Sequence, residues 1–381
     1  MINLPSDTVY LDHAAASPPS EHALDLFRQY ATSCFANQEA IHQAAYLVRR
    51  QLAEHEERML AAWCGPAHDA LVQWTDSGTA SLQNLLRYPM FAAGDVVTTA
   101  AEHAALTAAI GWLGIPVKIV RLCRGLVDLD HLAELLTPAT RLVAIHHVQS
   151  EIGAVQDLCA IRRVIDANAP QAWFLADTIQ SAGKLELPWA AARLDAAVIS
   201  GYKVGVPGGG AIVFRDRGDK SEKLSAFFHR LRGEEHRISR PNPSLCLTLA
   251  QIMAESAPRL TDDRQRIAEL HRDLRQELRR RWDDKIKFVV DETAVSPYIL
   301  HFLVPGYQGA VLVRMMSEQR VFIASGSACN AETRTPSPAL LAAGVGAKNA
   351  FAGIRLSFSP ATTAADLARF LDAFDICLKN Y

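Results

Sequence analysis

Two side chains of opposite charge close successive apolar runs. Asp177 ends Ala172-Trp-Phe-Leu-Ala-Asp177, and Lys203 follows Asp195-Ala-Ala-Val-Ile-Ser200-Gly-Tyr. Each run is short, apolar and bounded by turn residues, the pattern of a buried strand in a mainly parallel sheet. Ligands of such sheets collect outside the carboxyl ends of the strands. Asp177 and Gln180 are therefore expected beside Ser200 and Lys203, at one edge of one crevice. A structural ion pair would account for the acid and the lysine. So would a site for pyridoxal 5'-phosphate, which needs an amine to hold its aldehyde carbon and an acid facing its pyridine nitrogen. Lys203 suits the first task and Asp177 the second, with Gln180 reaching the ring hydroxyl.

Three further stretches carry side chains of the right type. Ser77-Gly78-Thr79-Ala80-Ser81 follows the apolar run Ala70–Thr75 and precedes helical periodicity. A strand, then small and hydroxyl residues, then a helix start aims several backbone N–H groups at one spot, where a phosphate would also meet the hydroxyl of Thr79 or Ser81. An ordinary helix cap has the same appearance. His103 closes Asp95-Val-Val-Thr-Thr at the same expected edge, placed either to stack on a planar ligand or simply to start a helix. Cys329 lies in Ala324-Ser-Gly-Ser-Ala-Cys-Asn-Ala-Glu-Thr-Arg-Thr-Pro-Ser-Pro, which is poor in apolar neighbours. An accessible thiol on a long irregular loop is a candidate nucleophile, and an incidental surface cysteine is the plain alternative.

The elements that must position these groups follow from pattern and length. A chain of 381 residues is comfortable as two domains. Strands are expected at 70–75, 95–99, 117–122, 141–148 and in the two runs above, with helices at 43–64, 82–86, 104–114, 129–136 and 158–167. This alternation is the doubly wound α/β pattern. Residues 230–244 read as a charged, proline-containing loop. Helices at 245–256 and 262–281 and strands at 285–290, 296–303 and 354–358 complete a smaller α+β unit. The expected division is 13–254 for the large domain, and 1–12 with 255–381 for the small one, which carries the cysteine loop at about 324–338.

Composition excludes several function classes. The formal net charge of −2 gives no electrostatic case for nucleic acid or an anionic membrane surface. Arg275, Arg279, Arg280 and Arg281 sit among acids and read as a solvated helix face. No run is long and apolar enough for a bilayer and no signal pattern opens the chain, so a cytoplasmic protein is expected. The seven cysteines are scattered without a CxxC pair, which fits a reducing compartment and argues against structural zinc; no metal is expected.

Taken together and in order, these motifs resemble the NifS/IscS-like cysteine desulfurases, class V aminotransferases of fold type I. The resemblance runs from Tyr10-Leu-Asp to Arg355-Leu-Ser-Phe. The family's Ser-Gly-His-Lys segment is similar to Ser200-Gly-Tyr202-Lys203, and its Asp-Ala-Thr-Gln to Asp177-Thr-Ile-Gln180. Its phosphate loop falls on Ser77-Gly78-Thr79-Ala80, with a further phosphate contact from Ser200, and its ring-stacking, proton-shuttling histidine on His103. Its persulfide-forming thiol falls on Cys329 and its substrate-carboxylate arginine on Arg355. The resemblance implies a large, mainly parallel seven-stranded sheet domain with a smaller α+β domain, pyridoxal 5'-phosphate as cofactor, and a homodimer. It also implies conversion of L-cysteine to L-alanine, with sulfur left on Cys329 for a separate acceptor protein. A selenocysteine lyase or cysteine C–S lyase of the same fold, and a degenerate scaffold that binds sulfur-carrier proteins, are the other readings.

Three positions depart from the family pattern. Ser150 stands in Gln149-Ser150-Glu151-Ile-Gly153 where an asparagine would contact the substrate carboxylate and the ring hydroxyl. Tyr202 replaces the histidine before the lysine; it can hydrogen-bond a phosphate but carries no charge near neutral pH. Arg240-Pro-Asn-Pro-Ser244 replaces the Arg-Ser-Gly-Thr loop that sends a hydroxyl to the partner subunit's phosphate.

Overall fold

The structure is a computed structural model that describes residues 7–233, 235, 238–326 and 335–381. The chain opens with β1 (Val9–Tyr10), α1 (Glu21–Ser33) and α2 (Gln43–Cys64). Strands and helices then alternate: β2 (Ala70–Thr75), α3 (Gly78–Leu86), β3 (Asp95–Thr99), α4 (Ala104–Gly111) and β4 (Val117–Val120). A small hairpin of β5 (Leu122–Cys123) and β6 (Leu126–Val127) leads to α5 (Leu129–Leu135), β7 (Thr140–His146) and α6 (Leu158–Asn168). Next come β8 (Trp173–Asp177), β9 (Ala196–Ser200) and β10 (Gly210–Arg215).

Seven of these strands form one sheet in the order β2-β10-β9-β8-β7-β3-β4. All neighbours are parallel except β10, which runs antiparallel to both β9 and β2. Two reversals leave β2 pointing the same way as β9, so the chain leaves both strands at the same sheet edge. β7, β8 and β9 are buried over nearly their whole length, and period-two alternation divides their side chains between two cores. Phe174, Ala176, Ala197 and Ile199 join the cluster under α2 and the helix Pro243–Ser256, whereas Trp173, Leu175, Ala196 and Val198 join that under α3 and α4. Helices on both faces are why these strands read as unbroken apolar runs.

The second half adds α7 (Asp219–Gly233), α8 (Pro243–Ser256) and α9 (Leu260–Trp282). It continues through β11 (Lys287–Phe288), β12 (Ile299–Leu303), α10 (Gly309–Glu318), β13 (Val321–Phe322), α11 (Pro338–Ala342), β14 (Gly353–Ser357) and α12 (Ala364–Asn380). Strands β11, β12 and β14 form an antiparallel sheet, and β1 pairs in parallel with β13. The amino-terminal segment thereby joins the carboxyl-terminal core, where Val9 and Leu11 pack with residues such as Phe302, Leu356 and Phe374. Asp12 bridges to Ser357 and so lies alongside β14.

Two expectations are corrected. The loop expected at 230–244 is shorter, because Arg230–Gly233 is the last turn of α7 and Pro243 already belongs to α8. Leu224, Phe227, Phe228 and Leu231 of α7 are spaced as one helical face and are buried against the sheet, a periodicity obscured by the charged residues around it. Arg275 is not on a solvated face. It is buried, donates to the Val290 carbonyl at 3.1 Å and lies 3.9 Å over the Phe288 ring, while Arg279, Arg280 and Arg281 remain exposed. Cation–π contact and a carbonyl partner compensate the lost water. Among the described residues no helix is long and apolar enough to cross a membrane, and no group of His, Cys, Asp and Glu is arranged to hold a metal ion.

Candidate active site

The parallel strands deliver their carboxyl ends to one cavity of about 350 Å³. β8 ends at Asp177; β9 ends at Ser200, and a 3-10 turn, Gly201–Lys203, carries the lysine to the same edge. Beyond β3, His103 is the residue before α4; beyond β2, Ser77 is the residue before α3. Ser77, Gly78, Thr79, His103, Ser150, Asp177, Gln180, Ser200, Tyr202, Lys203 and Arg355 all line the cavity. Ala80 does not line it, and its N–H donates to Ser77 Oγ at 3.1 Å. Cys329 lies outside the described residues, while Gly326 and Ser337 on either side of its loop are described.

The start of α3 is close-packed against the ends of β8 and β9. Gly78 and Thr79 are first-turn residues whose amides have no carbonyl within the helix to bond. A Cβ on Gly78 would sit 2.6 Å from Ile179 Cδ1 and 3.0 Å from Ser200 Cβ, so glycine lets the helix approach the ends of β8 and β9 without displacing either side chain. That approach brings the amides, the Thr79 hydroxyl and Ser200 to one corner of the cavity.

Asp177 is buried, and burial pushes its carboxyl up to about 6. The Ile179 N–H, donated to Oδ1 at 3.0 Å, opposes that rise, as does the Lys203 ammonium, whereas Glu102 adds to it. Glu102 belongs to a network that the sequence reading did not find. Its side chain is fully buried, accepts from Thr99 Oγ1 at 2.8 Å and takes the His146 backbone N–H at 3.0 Å. Gln156 Oε1 accepts from the Val127 N–H, so Gln156 Nε2 must face His146 Nε2 as a donor, at 3.0 Å. His146 is then protonated on Nδ1, which donates to Glu102 Oε1 at 2.9 Å. Since His146 pairs with Asp177 across β7 and β8, this network backs the acid at the strand end. The consecutive histidines that close the apolar run 142–145 are the local signal for it.

The opposite wall is built by three distant segments. Lys203 Nζ donates to the Ala15 carbonyl, and Gln180 Nε2 donates to the Ala14 carbonyl at 2.9 Å. Gln180 Oε1 is buried without a partner among the described residues. Arg355 is buried on β14 and held at two points: Nη2 donates to Asp12 Oδ1 at 2.7 Å and Nη1 to the Ser150 carbonyl at 3.0 Å. Its Nε has no partner among the described residues. Nothing local to Asp12 in the sequence shows that its partner lies at the other end of the chain. Tyr202 is exposed at the cavity mouth, and His103 Nδ1 accepts the Ala105 N–H at 3.2 Å. That acceptor bond requires an unprotonated Nδ1, and desolvation with the nearby Lys203 charge lowers the ring's pKa in the same sense. Lys184, buried behind the site, is pushed down to about 7 by burial and by Lys203.

A doubly wound sheet with a lysine, an acid and a helix start at its carboxyl edge is the arrangement of a class of transferase-like enzymes, and the comparisons agree. The chain belongs to the class-V aminotransferase family, whose profile matches residues 9–234. A cysteine desulfurase of Gluconacetobacter diazotrophicus is 26% identical, over 96% of this chain and 92% of its own. An IscS-like cysteine desulfurase of Mycobacterium tuberculosis is 27% identical, over 95% and 94% respectively. The crystal structure of a NifS-like protein from Rickettsia africae has the same fold, with a TM-score of 0.83 at 23% identity over 98% of this chain and 99% of that one.

Proposed function

We propose that this protein is a pyridoxal-phosphate-dependent cysteine desulfurase. It converts L-cysteine to L-alanine and leaves the sulfur as a persulfide on Cys329. The observation that carries the reading is the convergence of Lys203, Asp177, His103 and Arg355 on one cavity beside the open amides of α3. The cavity fits the cofactor on its own features: the cradle that a Cβ on Gly78 would fill suits its phosphate, and the orphaned Gln180 Oε1 can accept from its hydroxyl. Asp177 would face its ring nitrogen, Lys203 would hold its aldehyde carbon, and Thr79, Ser200 and Tyr202 would complete the phosphate contacts. When bound, this group withdraws electrons from a bond to the amino acid's Cα.

The chain's own residues supply the rest. Arg355, held in place by Asp12 and the Ser150 carbonyl, offers Nε to the substrate carboxylate, and Ser150 lies beside it in the place of a longer asparagine. Lys203 would move the proton at Cα, and His103, neutral and at the cavity wall, would assist with proton traffic. The Cys329 thiolate attacks the substrate sulfur. An S–S bond forms, the Cβ–S bond breaks, and its electron pair stays with the carbon skeleton, which takes up a proton and leaves as alanine. The two thiols thus become one persulfide and one methyl group, with no outside oxidant. An acceptor protein then takes the terminal sulfur.

The division at 254 and 255 is part of the same reading. It is supported by the core on the α2–α8 face, which ends at Met253, and by the carboxyl-terminal core, which starts again at Ile267. The exposed Phe35, Ile41, Tyr46 and Leu47 between and on the first helices support a homodimer, and a monomer in sedimentation would remove that part.

The decisive experiment mixes the cofactor-loaded protein with L-cysteine and measures alanine and protein persulfide. Equal amounts of both are expected in a single turnover, with persulfide abolished by Cys329→Ser. Sulfide release that survives Cys329→Ser would indicate a C–S lyase instead, and no alanine at all would end the reading.

A further inference from the structure

Resting on the proposed cofactor, we infer that Glu102 is a positioning residue for the acid that faces the ring nitrogen. Its buried charge, behind a His146 ring that Gln156 keeps neutral, tightens the hold of Asp177 on a proton at that nitrogen. Glu102 follows β3 and its side chain is fully buried; His146 ends β7, is buried, and lines the same cavity as Asp177. The contacts of Glu102 are those of a carboxylate. Oε1 accepts from Thr99 Oγ1 at 2.8 Å and from His146 Nδ1 at 2.9 Å, and Oε2 accepts the His146 backbone N–H at 3.0 Å. Thr99 Oγ1 in turn accepts the Ala101 N–H at 3.1 Å, which leaves its own proton for Glu102. Three donors on two oxygens suit an acceptor-only, ionised group.

His146 cannot cancel that charge by taking up a second proton. Its Nδ1–H is spent on Glu102, and its Nε2 meets the Gln156 amide nitrogen at 3.0 Å. The β5–β6 hairpin sets the direction of that amide. The Val127 N–H donates to Gln156 Oε1 at 2.9 Å, and Gln156 Nε2 donates to the Gly125 carbonyl at 2.8 Å. A doubly protonated ring would press one N–H against another. The hairpin stands apart from the seven-stranded sheet, and its backbone fixes the tautomer of a ring in the cavity wall.

Asp177 lies one strand over. His146 and Asp177 are register partners on the parallel strands β7 and β8, so both side chains leave the same face of the sheet. The charged and titratable groups about Asp177 are Glu102 beyond β3, His146 on β7 and Lys203 beyond β9, with His103 also in the cavity wall. The start of α3, packed on the same strand ends, brings hydroxyls and amides but no charge. Lys203 draws the Asp177 carboxyl towards ionisation, and Glu102 opposes it. A protonated His146 would side with Lys203, and the Gln156 amide prevents that. Two buried acids raise each other's hold on protons, so the Glu102 charge favours a proton between Asp177 and the nitrogen it would face.

The test uses the full-length protein in two states. In the apoprotein, aspartates are isotope-labelled at the carboxyl carbon, and the Asp177 signal, identified by its loss in Asp177→Asn, is titrated by NMR. In the loaded protein, pyridoxal 5'-phosphate labelled at its ring nitrogen reports that nitrogen's proton through its chemical shift as the pH is raised. Glu102→Gln, which removes the charge, is expected to lower both midpoints by about one pH unit or more. Glu102→Asp, which restores the charge, is expected to recover most of the shift. Thr99→Val removes a hydrogen bond of the same network but no charge, and is expected to cost stability while leaving both midpoints in place. Midpoints in Glu102→Gln within about 0.3 unit of the parent's overturn the inference, as does an equal fall in Thr99→Val. If Glu102→Gln does not fold, Gln156→Glu decides in its place. A carboxylate there accepts from Nε2 and so charges the His146 ring; both midpoints are expected to fall, and unchanged midpoints overturn the inference. A protein that takes up no pyridoxal 5'-phosphate ends the proposed function, and the apoprotein titration still decides whether Glu102 acts on Asp177.

Discussion

Burial gives Asp177 a proton affinity that the bound cofactor must overcome. Its carboxyl is raised from 3.8 to about 6, so the folded apoprotein binds this proton more tightly than the unfolded chain does. The resulting stability is complete below 3.8 and is lost as the pH rises through 6, roughly 3 kcal/mol in all. Asp177→Asn is expected to remove this slope, so the variant apoprotein gains thermal stability over the parent above pH 6 while retaining the cofactor poorly. Thermal unfolding of both apoproteins between pH 4 and 8 checks it; parallel profiles would contradict the assignment of the shifted proton. The positions of Asp177 and Lys203 were legible from two apolar runs because a strand's end is a local property. The burial that shifts Asp177, and Glu102 behind it, were not. They depend on β3 and β7 lying side by side, which no short window of sequence states.

At the scale of elements, the start of α3 and the whole of α7 show what pattern can and cannot carry. Strand, small residues and helix could be read from Ala70 to Leu86, and α3 begins at Gly78 with Ser77 as its cap. Why glycine stands there could not be read, since its neighbours are Ile179, just past β8, and Ser200 at the end of β9. Gly78→Ala must push against Ile179 and the end of β9 at once. The expected result is cofactor affinity reduced by about tenfold or more, because displacement of an anion cradle by a fraction of an ångström breaks several short hydrogen bonds together. Global stability should change little, since the Ile179 side chain can turn away. Titration of the apoprotein with pyridoxal 5'-phosphate, followed by absorbance, measures the first, and urea unfolding the second. Unchanged affinity would remove the cradle from the phosphate site. Helix α7 was missed although its apolar face repeats at helical spacing, because acids, lysines and arginines fill the remaining positions and resemble the loop that follows.

For the molecule as a whole, the notable cost is neutral histidine in the core. Burial pushes His147 and His271 down to about 4 and His301 to about 3, with the Arg275 and Arg355 charges adding to the effect on the latter two. Each releases its proton on folding, so the stability it contributes is complete above 6.5 and is lost as the pH falls through the folded values. Asp177, Asp195 and Glu56, whose carboxyls burial raises, act in the opposite sense over part of that range, and His13, lowered to about 4, acts with the three rings. The urea midpoint of the apoprotein is therefore expected to fall steeply between pH 6.5 and 4, by several kcal/mol in free energy. A flat profile there would mean that these rings have water or acids as partners. What the amino-acid sequence by itself determined was the strand-and-helix rhythm and the chemistry at each strand's carboxyl end, because alternation, caps and turn residues act over a few positions. Only the tertiary structure decided that Asp12 holds Arg355, that Glu102 and Gln156 orient His146, and that Glu151 lies between Gly326 and Ser337. Apart from that of Gln156 with His146, those contacts join segments far apart in the chain, and their energies arise from burial that exists only after the sheets and helices have packed.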